Sequence, residues 1–186
     1  MTRFNSGDNK WRFVGIWSKN RWEWLATHLA NQYFSHTTIG FFDSMGPETV
    51  DYILGQTELT SVFVAKEYVQ KLLDMRAKNL GAKIKNIVSF DQVDDSLKAE
   101  WDKKGVKVYT LAEVIEKGKN SNLELRPQNE NDSPLFSYTS GTTGDSKGVK
   151  LTHKNLLTTC ASIIHIFDLN TEDSIISYLP YPHSFE

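Results

Sequence analysis

Short apolar runs alternate along this chain with segments of helical periodicity, and that alternation limits the folds open to it. Phe13-Val14-Gly15-Ile16-Trp17 reads as a buried strand, and comparable runs recur at 38–42, 61–65, 85–90, 106–109, 134–138 and 174–179. Between them lie stretches whose apolar residues return every three or four positions, the spacing of a helix with one buried face. Strand–helix–strand order places neighbouring strands in parallel, because a crossover helix must carry the chain back to its starting edge. The expectation is a layered α/β domain with a mainly parallel sheet and flanking helices. At 186 residues, 39% of them hydrophobic, the chain is long enough for one core.

The helix over 22–34 is expected to turn Trp22, Leu25, Ala26, Leu29, Ala30 and Tyr33 toward the sheet. Trp11, Trp17, Trp22 and Trp24 crowd this region and are expected to pack in the core. Pro47 occupies the first position of the next helix, with Glu48 near its N-terminus and Val50, Ile53 and Leu54 facing inward. Further helices are expected from about 67 to 79, over 94–104 and over 111–117, and residues 117–132 read as a polar, turn-rich, exposed connector. Thr152 can cap a last helix running to about Phe167, with His153 as a surface or cap residue. Cys160, the single cysteine, permits no internal disulfide and is expected to be a buried structural thiol.

A net charge of −2 gives no basic field for nucleic acid, which is not expected as a partner. Residues 1–12 form a polar segment without the apolar run of a secretory signal, and no stretch approaches the roughly 20 apolar residues of a spanning helix. The expected location is cytoplasmic or peripheral on the endoplasmic reticulum or another intracellular membrane.

Chemistry concentrates in residues 138–155, YTSGTTGDSKGVKLTHKN. Gly141, Gly144 and Gly148 let backbone N–H groups turn inward, Ser and Thr hydroxyls add donors or magnesium ligands, and Lys147 adds a point charge on a flexible stem. That combination suits a polyphosphate, since each charge-assisted bond to a phosphate oxygen contributes about 1.5–3 kcal/mol. The stretch is neither a Walker loop, which would need Gly where Ser146 stands, nor a dinucleotide loop, because Gly141-Thr142-Thr143-Gly144 contains no G-x-G. A flexible Gly/Ser/Thr linker is the competing reading, and the apolar flanks at 134–138 and 148–152 argue against it.

These residues resemble the signature loop of the adenylate-forming, AMP-binding superfamily. Ser146 stands where that family usually has Pro, a change that costs a loop about 0.4–1 kcal/mol through added freedom when unfolded. Three further segments resemble long-chain fatty acyl-CoA synthetases in particular: Gly15-Ile16-Trp17-Ser18-Lys19-Asn20-Arg21 with Glu23-Trp24, Phe42-Asp43-Ser44-Met45-Gly46-Pro47-Glu48, and Tyr178-Leu179-Pro180-Tyr181-Pro182-His183-Ser184-Phe185-Glu186. Pro182 replaces the more usual Ala in the last.

The resemblance implies fatty acid, ATP and Mg2+ as substrates and cofactor of an acyl-adenylate-forming step, with coenzyme A as the acceptor in a second step. It assigns Thr139, Ser140, Gly141, Thr142, Thr143, Gly144 and Lys147 to the ATP phosphates, Thr142 to Mg2+, and His183 to the acyl or adenylate pocket. Residues 13–186 would be part of the large domain. The family's Tyr-Gly-x-Thr-Glu motif, ribose-binding Asp, hinge and small C-terminal domain with its catalytic Lys have no counterpart here, so the polypeptide is expected to be a fragment without turnover of its own. Two alternatives stand beside this: a non-catalytic nucleotide-binding or interaction module, and an adenylating enzyme of another branch.

Overall fold

The computed structural model describes residues 11–78, 80–81, 83–126, 128–139 and 146–183. Phe13–Trp17 (β1) and Thr37–Phe41 (β2) are buried along their whole length, as strands covered on both faces must be. Ser61–Val64 (β3), Asn86–Ser89 (β4) and Lys107–Thr110 (β5) extend the sheet on one side of β1, and Leu135–Thr139 (β6) and Lys147–Leu151 (β7) extend it beyond β2. The order is β5-β4-β3-β1-β2-β6-β7. Every neighbouring pair is parallel except β6 and β7, which form an antiparallel hairpin. The chain reverses its direction of travel across the sheet after β2, the doubly wound arrangement that opens a crevice outside the carboxyl ends of the strands.

Pro47–Thr57 (α2), Lys66–Ala77 (α3) and Asp95–Lys103 (α4) cover one face. Val50, Ile53 and Leu54 join Tyr68, Val69, Leu72 and Trp101 there against Phe13, Trp17, Ile39, Phe41, Val62 and Val64. Pro47 opens α2 with Glu48 in its first turn, as the sequence led one to expect. The other face is thinly covered: Ile16, Trp24 and Phe90 form its buried cluster, with Phe63, Leu111 and Tyr181 against them. Leu111–Lys119 (α5) starts there on a reciprocal cap between Thr110 and Glu113.

Trp22–Tyr33 (α1) reverses the expected orientation. Glu23, Trp24, Thr27 and Asn31 are buried, whereas Trp22 and Tyr33 are 66% and 61% exposed and Leu25 and Leu29 are each 46% exposed. The cause lies in β2, which opens with buried Thr37 and Thr38. Those hydroxyls need partners once removed from water: Thr37 Oγ1 donates to Ser133 O at 2.7 Å, and α1 supplies the partners of Thr38, with His28 Nδ1 2.9 Å from Thr38 Oγ1 and Asn31 Nδ2 donating to the same oxygen at 3.1 Å. A polar sheet surface thus takes the polar side of the helix and turns its apolar stripe outward. Replacing Leu25 and Leu29 together by Lys is therefore expected to shift the urea unfolding midpoint by less than about 0.5 kcal/mol in equivalent stability while reducing self-association in light scattering. A loss above about 2 kcal/mol would show that both side chains are buried.

His153–Phe167 (α6) follows a reciprocal Thr152–Asn155 cap and contains no buried residue. Its N-terminus is tied to the connector by His153 N–H to Asp132 O and Lys154 N–H to Glu130 O. Cys160 is consequently exposed, correcting the expectation of a buried thiol. Residues 174–179 form no strand, again against expectation, and Ile175, Ile176 and Tyr178 stand in solvent. Instead of joining a sheet edge, the chain passes across the carboxyl ends of β1 and β2. No helix among the described residues is long and apolar enough to cross a membrane.

Candidate functional site

The glycine- and hydroxyl-rich stretch joins the two strands of the β6–β7 hairpin. Leu135 and Phe136 are buried and pair with Thr38 and Ile39 of β2, so β6 continues the parallel sheet and releases its loop at the same edge as the exits of β1 and β2. Thr139 and Lys147 face each other in the last register pair, both exposed at the mouth of the loop. Ser140, Gly141, Thr142, Thr143 and Gly144 lie outside the described residues.

Tyr138 anchors this mouth. Its hydroxyl donates to Gln56 Oε1 of α2 at 2.7 Å, and burial, followed by the neighbouring Tyr52, pushes its phenol above the ordinary range. Across the hairpin, Tyr138 pairs with Gly148, where an added Cβ would stand 3.1 Å from the ring. Gly148 is therefore small because the Tyr138 ring lies on it. A hydroxyl and a cation held at paired positions by a buried anchor are suited to receive a polyphosphate between them.

The crevice between the ends of β1 and β3 is closed by ion pairing within the chain. The Arg21 guanidinium donates to Glu23 at 2.6 and 2.7 Å and to both oxygens of Asp91 at 3.1 Å, and Asp91 also accepts from the Lys66 amide at 2.9 Å. The bond to Glu23 and the Asp91 charge hold Arg21 above its usual range despite partial burial. Arg21 likewise lowers the Glu23 carboxyl. Burial pushes Asp91 upward, and the bonds from Arg21 and the Lys66 amide outweigh it, leaving the carboxyl low. With its charge already matched by two carboxylates, Arg21 is a poor receptor for a further anion.

The open cleft lies instead over β1 and β2. Its volume is about 370 Å3, and Ser18, Asn20, Phe42, Asp43, Tyr178 and Pro182 are among the residues lining it. His183 is exposed, and its amide donates to Pro180 O at 2.8 Å. Ser137 Oγ of β6 donates to Pro182 O at 3.2 Å, bringing the His183 segment beside the strand that carries Thr139. His153 begins α6, partly buried, with burial lowering its imidazole and Asp132 opposing that shift. Among the described residues no group of three or more His, Cys, Asp or Glu could hold a metal ion.

The residues that sequence reasoning passed over are Gln56, Ser137, Gly40 and Asn20. Only Asn20 carried a signal, as a short polar side chain just past the carboxyl end of a buried strand.

A family profile described as AMP-binding enzyme matches residues 4–186. Fatty acyl-CoA synthetase B of Dictyostelium discoideum is 38% identical over 175 residues, which is 93% of this chain and 26% of that protein. Long-chain-fatty-acid-CoA ligase 5 of Rattus norvegicus and ligase 1 of Homo sapiens are each 32% identical, over 94% of this chain and 26% of their own length. The chain thus spans about a quarter of the curated relatives it matches. Among solved structures, the A domain of a carboxylic acid reductase from Segniliparus rugosus, in complex with AMP and a co-purified carboxylic acid, superposes with a TM-score of 0.71 at 16% identity, covering 97% of this chain and 31% of that one. The N-terminal domain of FACL13 from Mycobacterium tuberculosis gives 0.68 at 19% identity, covering 94% and 39%. At such identities these two likenesses establish the fold.

Proposed function

The chain belongs to the AMP-binding enzyme family, and from that premise we propose that it serves a long-chain fatty acid–CoA ligase. A carboxylate oxygen of the fatty acid attacks the α-phosphorus of ATP, the bond to the β-phosphate bridge breaks, and pyrophosphate leaves. The thiol of coenzyme A then attacks the acyl carbonyl, losing its proton to solvent, and AMP departs. The relatives at 32–38% identity carry acyl-CoA synthetase or ligase names over nearly this whole chain, which favours this branch of the family.

The observation that carries the reading is the Thr139–Lys147 pair held at the hairpin mouth by buried Tyr138. In the proposal Thr139, Ser140, Gly141, Thr142, Thr143, Gly144 and Lys147 bind the β- and γ-phosphates, and His183 lines the acyl or adenylate pocket. Mg2+, with Thr142 as a ligand, would neutralise phosphate charge as pyrophosphate leaves. Position and fixed charge are the protein's contribution, since neither loop residue forms a covalent bond in the reaction. The outward apolar sides of α1 and α6 would serve as the surface on which further layers of the longer enzyme pack.

The test is calorimetric titration of the 186-residue polypeptide with MgATP. Binding is expected, and Lys147→Ala is expected to weaken it about 10- to 100-fold, the equivalent of one lost charge-assisted phosphate contact. The same polypeptide given palmitate, ATP and coenzyme A is expected to release no pyrophosphate. Undiminished binding by Lys147→Ala would overturn the phosphate assignment, and steady pyrophosphate release would overturn the expected silence of the polypeptide alone.

A further inference from the structure

Two of the segments singled out in the sequence lie about as far apart in the chain as its length allows, and they meet through one side chain. Asn20 Nδ2 donates to Leu179 O at 2.6 Å, and the Tyr181 amide donates to Asn20 Oδ1 at 2.9 Å. A primary amide carries a donor and an acceptor side by side, as a neighbouring strand does. Asn20 therefore docks the backbone of residues 179–181 as a strand edge would, with one side chain in place of a ladder.

Three other contacts converge on the same strap. Ser137 Oγ holds Pro182 O from β6. Pro182 rests on Gly40 of β2 so closely that an added Cβ would lie 2.8 Å from its own Cβ, so only glycine admits it there. Tyr181 packs on Trp24 of α1, with ring centroids 5.4 Å apart. Asn20 itself stands on a fixed turn, because the adjoining Arg21 is tied to both Glu23 and Asp91.

We propose that Asn20 is a positioning residue, which fixes the strap of residues 179–183 across the carboxyl ends of β1 and β2 and so sets His183 beside the strand that opens the phosphate loop. The inference rests on the proposed function for the meaning of His183, and on the hydrogen bonds alone for the placement of the strap. Both polar atoms of the Asn20 amide are engaged by the strap's backbone, and its role is exerted through that strap.

Amide hydrogen exchange followed by NMR on the 186-residue polypeptide tests it. The reporter is the His183 amide, whose acceptor is Pro180 O and which Asn20→Ala leaves in place. Asn20→Ala is expected to speed exchange at His183 at least tenfold while the Ala65 amide, bonded to Trp17 O at the β1–β3 junction, keeps its protection. Asn20→Asp retains an acceptor for the Tyr181 amide and is expected to restore part of the protection. Gly40→Ala, acting from the opposite side of the strap, is expected to reproduce the Asn20→Ala pattern. Unchanged exchange at His183 in Asn20→Ala overturns the proposal, as does equal loss at Ala65, which would make Asn20 a general stabilising residue.

Adding MgATP separates this inference from the reading beneath it. Resonances of Thr139, Lys147 and His183 are expected to shift together in the wild type, and in Asn20→Ala only the first two are expected to shift. No shift at Thr139 or Lys147 in the wild type would remove the phosphate reading and leave the exchange result standing. A His183 shift that persists in Asn20→Ala would remove the positioning role.

Discussion

Phe136→Ala is expected to lower the unfolding free energy by about 3–5 kcal/mol, the range for emptying a buried aromatic site. Phe136 is fully buried in β6, edge-on to the rings of Trp11 and Phe13 at centroid distances of 5.0 and 5.1 Å. It also supplies one of the two register pairs by which β6 joins β2, the other being Thr38 with Leu135. Loss of the ring therefore removes the packing that presses the hairpin onto the sheet where its ladder is shortest. Against a typical net stability of about 5–15 kcal/mol, such a loss is a large fraction of the whole. Urea titration followed by tryptophan fluorescence measures it as a lower midpoint at unchanged slope. MgATP affinity is expected to fall with it, because Thr139 and Lys147 leave from the same hairpin. A loss below about 1 kcal/mol would mean that the Phe136 pocket is not the close-packed site described.

The strands were legible because parallel strands buried on both faces read as near-continuous apolar runs, as Phe13–Trp17 does. Caps were legible for a similar local reason: Pro47 at the head of α2 and Thr152 before α6 act within one turn of themselves. The orientation of α1 was not legible, because periodicity finds an apolar stripe without saying what the sheet presents to it. Buried Thr38, far enough along the chain to belong to another element, decided that His28 and Asn31 should face inward. Residues 174–179 show the same limit, since their apolar content fits a strand, yet Ile175, Ile176 and Tyr178 stand in solvent and the Leu179 carbonyl accepts from Asn20 across the strand ends. In the site, the composition of residues 138–155 raised the expectation of a phosphate loop, and the structure adds the Tyr138–Gln56 and Tyr138–Gly148 contacts that hold the hairpin ends leading into it. The place of Asn20 just past a buried strand was legible, but its role was not, because its partners are backbone groups of Leu179 and Tyr181, which leave no mark on residue identity.

Lowering the pH from about 6.5 to about 4.5 is expected to cost about 2 kcal/mol of stability through His28 alone. Its pKa is lowered to about 4, first by burial and then by the nearby His153. The hydrogen bonds explain why the folded site refuses a proton. The Gln32 amide nitrogen lies 2.9 Å from Nε2 and donates to it, so Nδ1–H is left to donate to Thr38 Oγ1, and the ring is neutral. Protonation would set an N–H against the Gln32 amide beside His153, and Asp132 acts on His153 without cancelling its lowered state. The unfolded chain takes up the proton below about pH 6.5 and the folded chain resists until near its own lower value, so stability falls as the pH falls through that window. His153 and His36, both lowered by burial, add in the same direction. Glu23 and Asp91, whose pKa values are also lowered, begin to lose their contribution as the pH falls through the ordinary carboxylate range at the lower end of the window, so the comparison with a His28 variant is what isolates the imidazole. Urea midpoints of the wild type and His28→Gln, taken at both ends of the window, measure the effect. The variant is expected to show a pH dependence smaller by about 2 kcal/mol, and equal slopes for the two proteins would place the acid sensitivity elsewhere.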